Sequence, residues 1–132
     1  MIAIDTNVLV RFLVGDDPEQ LERAAALVRR NEIFVGLTVL LETEWVLRSA
    51  YGATRDEIVV AFRGVAGLRN VNVEAPAILM DAINALEQGM DFADALHLAG
   101  AAHASAAAFA TFDEDLRKRA GALGRQVRVT GL

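Results

Sequence analysis

Short apolar runs alternate along the chain with longer stretches in which apolar residues recur every three or four positions. The first pattern suits strands and the second amphipathic helices. Ile2-Ala3-Ile4 is such a run, and its brevity predicts a buried opening strand with Asp5 at its carboxyl edge. From Pro18 to Arg30, Leu21, Ala24, Ala25, Leu27 and Val28 recur at helical spacing, with Asp17 placed to cap and Pro18 at the first helical position. Ile33-Phe34-Val35 reads as a second strand, broken by Gly36. Thr38 then opens a helix to about Tyr51, where Gly52 stops it. Thr54 and Glu57 form a capping box for a helix through Ala66. Val71-Asn72-Val73 alternates as a strand does, and Pro76 starts a helix reaching Glu87. Beyond Gly89 a helix runs from Asp91 to Ala104. An apolar run from Ala107 to Phe112 ends at Asp113, a helix follows from Glu114 to Ala120, and Val127 and Val129 mark a last strand.

Strands and helices alternating in this way predict an α/β fold, with a mostly parallel central sheet of about five strands flanked by helices. The length of 132 residues suits one domain over 1–132, and no linker, repeat or low-complexity tract divides it. The Ala-rich stretch from Ala99 to Ala108 fits close helix packing. No apolar stretch is long enough to span a membrane and the first residues lack a secretion signal, so the expectation is a soluble, cytoplasmic protein.

Composition narrows the chemistry. Without cysteine, disulfides and thiolate metal sites are excluded, and any metal must be held by oxygen or imidazole. The net charge of −5 argues against nucleic-acid binding through bulk electrostatics, but it averages over sites. Acids gathered around a cation have their local effect reversed, leaving the remaining surface nearly balanced. The bases are nearly all Arg, with Lys118 the single lysine, and Arg is the better bidentate phosphate partner. Genomic base composition explains the same bias.

Four acids stand out by position. Asp5 and Asp113 each follow an apolar run, at the strand edge where open parallel sheets bind ligands, although each is also placed to cap a helix. Glu42 has Val39 and Val46 at i−3 and i+4, so it is expected on an apolar stripe, where a carboxylate needs a compensating cation. Glu44, with Arg48 four residues on, reads as an exposed ion pair. Asp91 is placed to cap the next helix. Asp94, in its first turn, shares a face with Ala95 and Leu98 and is expected to point toward packed structure. Such a set suits a hard divalent cation, which lowers the pKa of bound water and neutralises charge on an attacked phosphate.

The residues that carry these acids fall into four motifs: Ile4-Asp5-Thr6-Asn7-Val8-Leu9, Leu41-Glu42 before Trp45-Val46-Leu47-Arg48, Asp91-Phe92-Ala93-Asp94-Ala95-Leu96, and Thr111-Phe112-Asp113. In order and interval they resemble the PIN-domain family, closest to the VapC-like toxin ribonucleases of type II toxin–antitoxin systems, over essentially the whole chain. The resemblance implies a catalytic, metal-binding quartet of Asp5, Glu42, Asp94 and Asp113, with Asp5 and Asp94 as direct ligands of Mg2+ or Mn2+. It assigns Thr6, Asn7 and Thr111 to supporting the carboxylates by hydrogen bonds. Asp115 is a further acid that could reach the crevice. The resemblance also implies endoribonuclease activity on RNA, a homodimer, and a cognate antitoxin whose C-terminal segment covers the active site. His97 stands where relatives often carry an apolar residue, and both it and His103 read as structural or surface histidines. Arg11, Arg48, Arg117, Lys118 and Arg119 are the cations available to an RNA-binding crevice.

Two other functions use similar scaffolds. A phosphatase-like phosphoacceptor domain also places an Asp after the first strand, but usually has a second Asp two residues on, where this chain has Asn7. A PIN-like fold kept only as a binding or assembly module would have no need of all four acids.

Overall fold

The computed structural model describes residues 1–123 and 127–132, in two compact units, Met1–Pro76 and Ala77–Leu132. The first unit holds a three-stranded parallel sheet in the order β1 (Ile2–Ala3), β2 (Ile33–Val35), β3 (Val71–Val73). Its register pairs Ile2 with Ile33 and Val35 with Val73. The connections run through α1 (Thr6–Val14), α2 (Pro18–Arg30), α3 (Leu37–Ala50) and α4 (Arg55–Ala66).

β2, the middle strand, buries Ile33 and Val35 completely, as a strand paired on both sides should. The opening strand departs from expectation, because Ile2 and Ala3 are exposed and only Ile4, just past the strand, is buried. β1 is an edge strand here, and the apolar run alone could not tell an edge from a centre.

Among the described residues, α1 is the element absent from the periodicity reading. Its helix starts immediately after Asp5, whose carboxylate accepts from the Val8 amide at 3.0 Å. It ends at Gly15, where a φ of 70° closes the left-handed cap with a hydrogen bond to the Arg11 carbonyl. α2 is capped by Asp17 with Pro18 leading, and α4 by the reciprocal Thr54 and Glu57 box. α1 packs against both α2 and α3.

The second unit comprises α5 (Pro76–Glu87, beginning on the last residue of the first unit), α6 (Phe92–His103), β4 (Ala108–Thr111), α7 (Glu114–Ala122) and β5 (Arg128–Gly131). β4 and β5 pair in parallel, Ala108 with Arg128 through Thr111 with Gly131. α6 and α7 pack on β4, and α7 also on β5. Leu79, Ile83, Met90, Phe92 and Leu98 are its fully buried large side chains.

The fold is therefore α/β with parallel strands, but the five described strands form a sheet of three and a sheet of two. Short apolar runs reveal that strands exist, and they carry no information on which strands pair. No described helix is long and apolar enough to cross a membrane.

Candidate functional site

Unit 1 carries Asp5 and Glu42. Capping fixes the exposed Asp5 carboxylate through Oδ1, and Oδ2 is not part of that bond. The next residue, Thr6, is buried and donates its hydroxyl to Glu42 Oε1 in a short hydrogen bond that ties the start of α1 to α3. Glu42 is thereby oriented beside the residue that follows Asp5.

Its surroundings differ from the expected apolar stripe. The buried face of α3 is Leu40, Thr43, Glu44 and Leu47, and Glu42 is exposed beside half-buried Val39 and Val46. The stripe lies a step further round the helix than those two valines suggest. Desolvation consequently gives no reason for Glu42 to need a cation.

The expectation for Glu44 is overturned by the same shift in phase. Glu44 is 3% exposed, and its carboxylate accepts from Arg48 Nε at 2.9 Å. A buried carboxylate with a half-exposed guanidinium partner replaces the surface ion pair.

Asn7 is exposed and lines, with Asp5, a cavity of about 500 Å3 between α1 and α2. Arg11 reaches the same cavity, held by Gln20 at 2.7 Å, Asp16 at 3.0 Å and the Tyr51 hydroxyl at 3.0 Å. Tyr51 raises the Arg11 pKa most, desolvation opposes it, and Asp16 raises it further. Sequence reasoning overlooked Arg23 and Gln20 in this wall. Their signal was the spacing 20, 23, 24, 27, one face of α2 on which polar and apolar positions mix.

Unit 2 carries Asp94 and Asp113. Asp91 caps α6 through the Asp94 amide at 3.2 Å, so the two acids share a single helical turn. Asp94 is half-buried, with Ala95 and Leu98 of its face in the core. Burial pushes its pKa up, Asp91 and Asp113 push it up further as like charges, and His97 opposes them.

Asp113, exposed at the end of β4, caps α7 through the Leu116 amide at 3.1 Å. Thr111 Oγ1 accepts from the Asp113 amide at 2.9 Å, so this hydroxyl shapes the turn and does not touch the carboxylate. Exposed His97 stacks on Phe109, with ring centroids 6.3 Å apart, and exposed His103 meets Asp81 at 2.8 Å. Asp115 lies with Lys118 and Arg119 on α7, where Arg119 also donates to the Gly89 carbonyl and Arg117 pairs with Glu114.

Among the described residues, no group of three or more His, Asp and Glu side chains is arranged to hold a metal ion. The chemistry of the donors nonetheless fits a hard divalent cation, which one or two carboxylates hold alongside substrate oxygen. Asp94, held partly out of water beside two like charges, is a carboxylate whose ionised form a cation would relieve.

The class these observations define is an α/β protein with acids capping helices at the ends of parallel strands. Residues 2–122 match the family model described as the PIN domain, and the chain belongs to that family. No similar sequence is found among curated proteins. Among solved structures, Mycobacterium tuberculosis VapC20, described as a Sarcin-Ricin loop cleaving toxin, is similar over 97% of this chain and 99% of its own. The identity is 22% and the TM-score 0.44.

Proposed function

We infer that the protein is a metal-dependent endoribonuclease and the toxin of a toxin–antitoxin pair. The observation that carries this reading is membership of the PIN family over residues 2–122, a span that contains Asp5, Glu42, Asp94 and Asp113. In this reading the chain acts as one domain, with Asp5, Glu42, Asp94 and Asp113 as its catalytic residues.

Asp5 and Asp94 hold Mg2+ or Mn2+, with Asp113 and Glu42 completing the ligand set. A cation held there would supply Lewis acidity for phosphodiester hydrolysis. Asp5 presents its carboxylate from a helix cap, a rigid mount for a ligand. Thr6 holds Glu42 by its hydroxyl, a positioning contact of the kind that orients metal ligands. Thr111 acts on Asp113 through the turn that it shapes, and Asn7 stands beside Asp5 in the cavity wall. The partners in this reading are an RNA substrate, a second copy of the chain in a homodimer, and a cognate antitoxin, all in the cytoplasm.

The test is RNA cleavage by purified protein with Mg2+ or Mn2+, with chelator, and in Asp5→Ala and Asp94→Ala variants shown by circular dichroism to be folded. Cleavage should need the metal and vanish in both variants. Cleavage that persists in both, or in chelator, ends the assignment.

A further inference from the structure

The cavity between α1 and α2 has a lining of mixed chemistry. Asp5 stands in it, and Val8, Ala24 and Leu27 give it an apolar floor. Arg11 and Arg23 supply positive charge. The charge of Arg11 is largely committed, since Asp16, Gln20 and Tyr51 surround its guanidinium. The exposed Arg23 side chain, by contrast, has no hydrogen bond or ion pair among the described residues. A volume near 500 Å3 with an apolar floor and a few directed polar groups is the usual form of a ligand site.

We propose that this cavity is a nucleotide subsite of the RNA strand, in which Arg23 grips a backbone phosphate beside the scissile bond while Val8, Ala24 and Leu27 carry the sugar and base. The proposal rests on the ribonuclease reading. An uncommitted guanidinium fork matches two phosphate oxygens. Arg23 and Leu27 are four residues apart on α2, so the phosphate contact and the apolar floor lie along one helix face. Asp5 in the lining joins the subsite to a candidate catalytic carboxylate, placing the bound nucleotide next to the reacting group.

The experiment is a fluorescence-anisotropy titration of a short fluorescein-labelled single-stranded RNA in chelator, across a salt series. It compares wild type with Arg23→Ala, Arg23→Lys and Arg29→Ala, each checked by thermal melting. Arg29→Ala removes the same charge from the exposed last turn of α2, on another face of the helix. Arg23→Ala should weaken binding several-fold and reduce the slope of log affinity against log salt by about 0.7, the loss of one single-strand phosphate contact. Arg23→Lys should keep most of the slope, and Arg29→Ala should match wild type. Affinity unchanged in Arg23→Ala, as expected if the cavity serves a protein partner, overturns the proposal, and so does an equal loss in Arg29→Ala. Wild-type cleavage with Mn2+, assayed in parallel, separates the two readings. Cleavage with Arg23-independent binding removes the subsite alone, whereas Arg23-dependent binding without cleavage removes the ribonuclease.

Discussion

The Thr6 hydroxyl donates to the Glu42 carboxylate across 36 positions of sequence, from the first residue of α1 to the middle of α3. Thr6 is buried and Glu42 exposed, so the bond fixes the carboxylate through Oε1, and Oε2 is not part of it. Thr6→Val should lower stability by about 1 kcal/mol, the net value of such a hydrogen bond. Cleavage should fall by about tenfold, as is usual when a group orienting a metal ligand is removed. Thr6→Ser, keeping the hydroxyl, should recover most of both. Urea denaturation and single-turnover cleavage check this, and a Thr6→Val protein with wild-type cleavage would show that Glu42 needs no such support.

Glu44 offers a contrast, because its partner is structural. Its carboxylate is almost wholly buried, while Arg48 leaves about half its side chain, 52%, in solvent. Removing the guanidinium strands a buried acid without this donor. Arg48→Met keeps the stem and its packing, so the loss reports on the guanidinium, and stability should drop by about 1–2 kcal/mol after allowing for solvent screening at Arg48. RNA cleavage at saturating substrate should be unaffected. Chemical denaturation that finds the variant as stable as wild type would show that Glu44 is satisfied in another way.

The same helix shows where the sequence was legible and where it was not. Start and stop signals located most elements, because capping is local chemistry: Asp17 with Pro18, Thr54 with Glu57, and Asp91 before α6 all sit where their side chains imply. The phase of α3 was not legible. Thr43 and Glu44 are polar yet occupy its buried face, so counting apolar neighbours of Glu42 pointed a step away from the true stripe. Strand pairing was illegible for a related reason, since β4 and β5 differ from β1 to β3 in nothing that periodicity can detect. Asp5, Asp94 and Asp113 were legible as helix caps or first-turn residues. Capping explains Asp5 and Asp113 locally, and the shared role proposed for them rests on the family motif alone.

The capping box of α4 makes the stability of unit 1 sensitive to acid. Hydrogen bonds with Thr54, from its backbone amide first and its side chain second, hold the Glu57 carboxyl below the ordinary glutamate range. A carboxyl depressed on folding stabilises the folded state above its unfolded pKa, and that contribution disappears as pH falls through the folded value. Glu57→Gln should therefore reduce stability at neutral pH and flatten its decline between the ordinary glutamate pKa and stronger acid. Melting temperatures of the two proteins, recorded across that range, should converge in acid. Parallel curves would mean that the Glu57 charge contributes nothing to the cap.

Asp94 carries the opposite sign. The helix dipole favours a negative charge in the first turn of α6, yet burial and the neighbouring Asp91 and Asp113 outweigh it and the pKa is raised. A carboxyl raised on folding binds its proton more tightly in the folded state. Stability is thus lost as pH rises from the ordinary aspartate range through the folded pKa, and the cost persists at neutral pH. Asp94→Asn should relieve that cost in the metal-free protein, raising stability by less than ~1 kcal/mol because the group is partly solvated. Below the ordinary aspartate range the gain should vanish, since both proteins are then neutral at this position. The same substitution should abolish RNA cleavage, and added Mn2+ should stabilise the wild type but not the variant. Urea denaturation in chelator at neutral and acidic pH decides the matter: a variant less stable than wild type at neutral pH would show that the Asp94 charge is welcome where it stands, and that no cation is required to balance it.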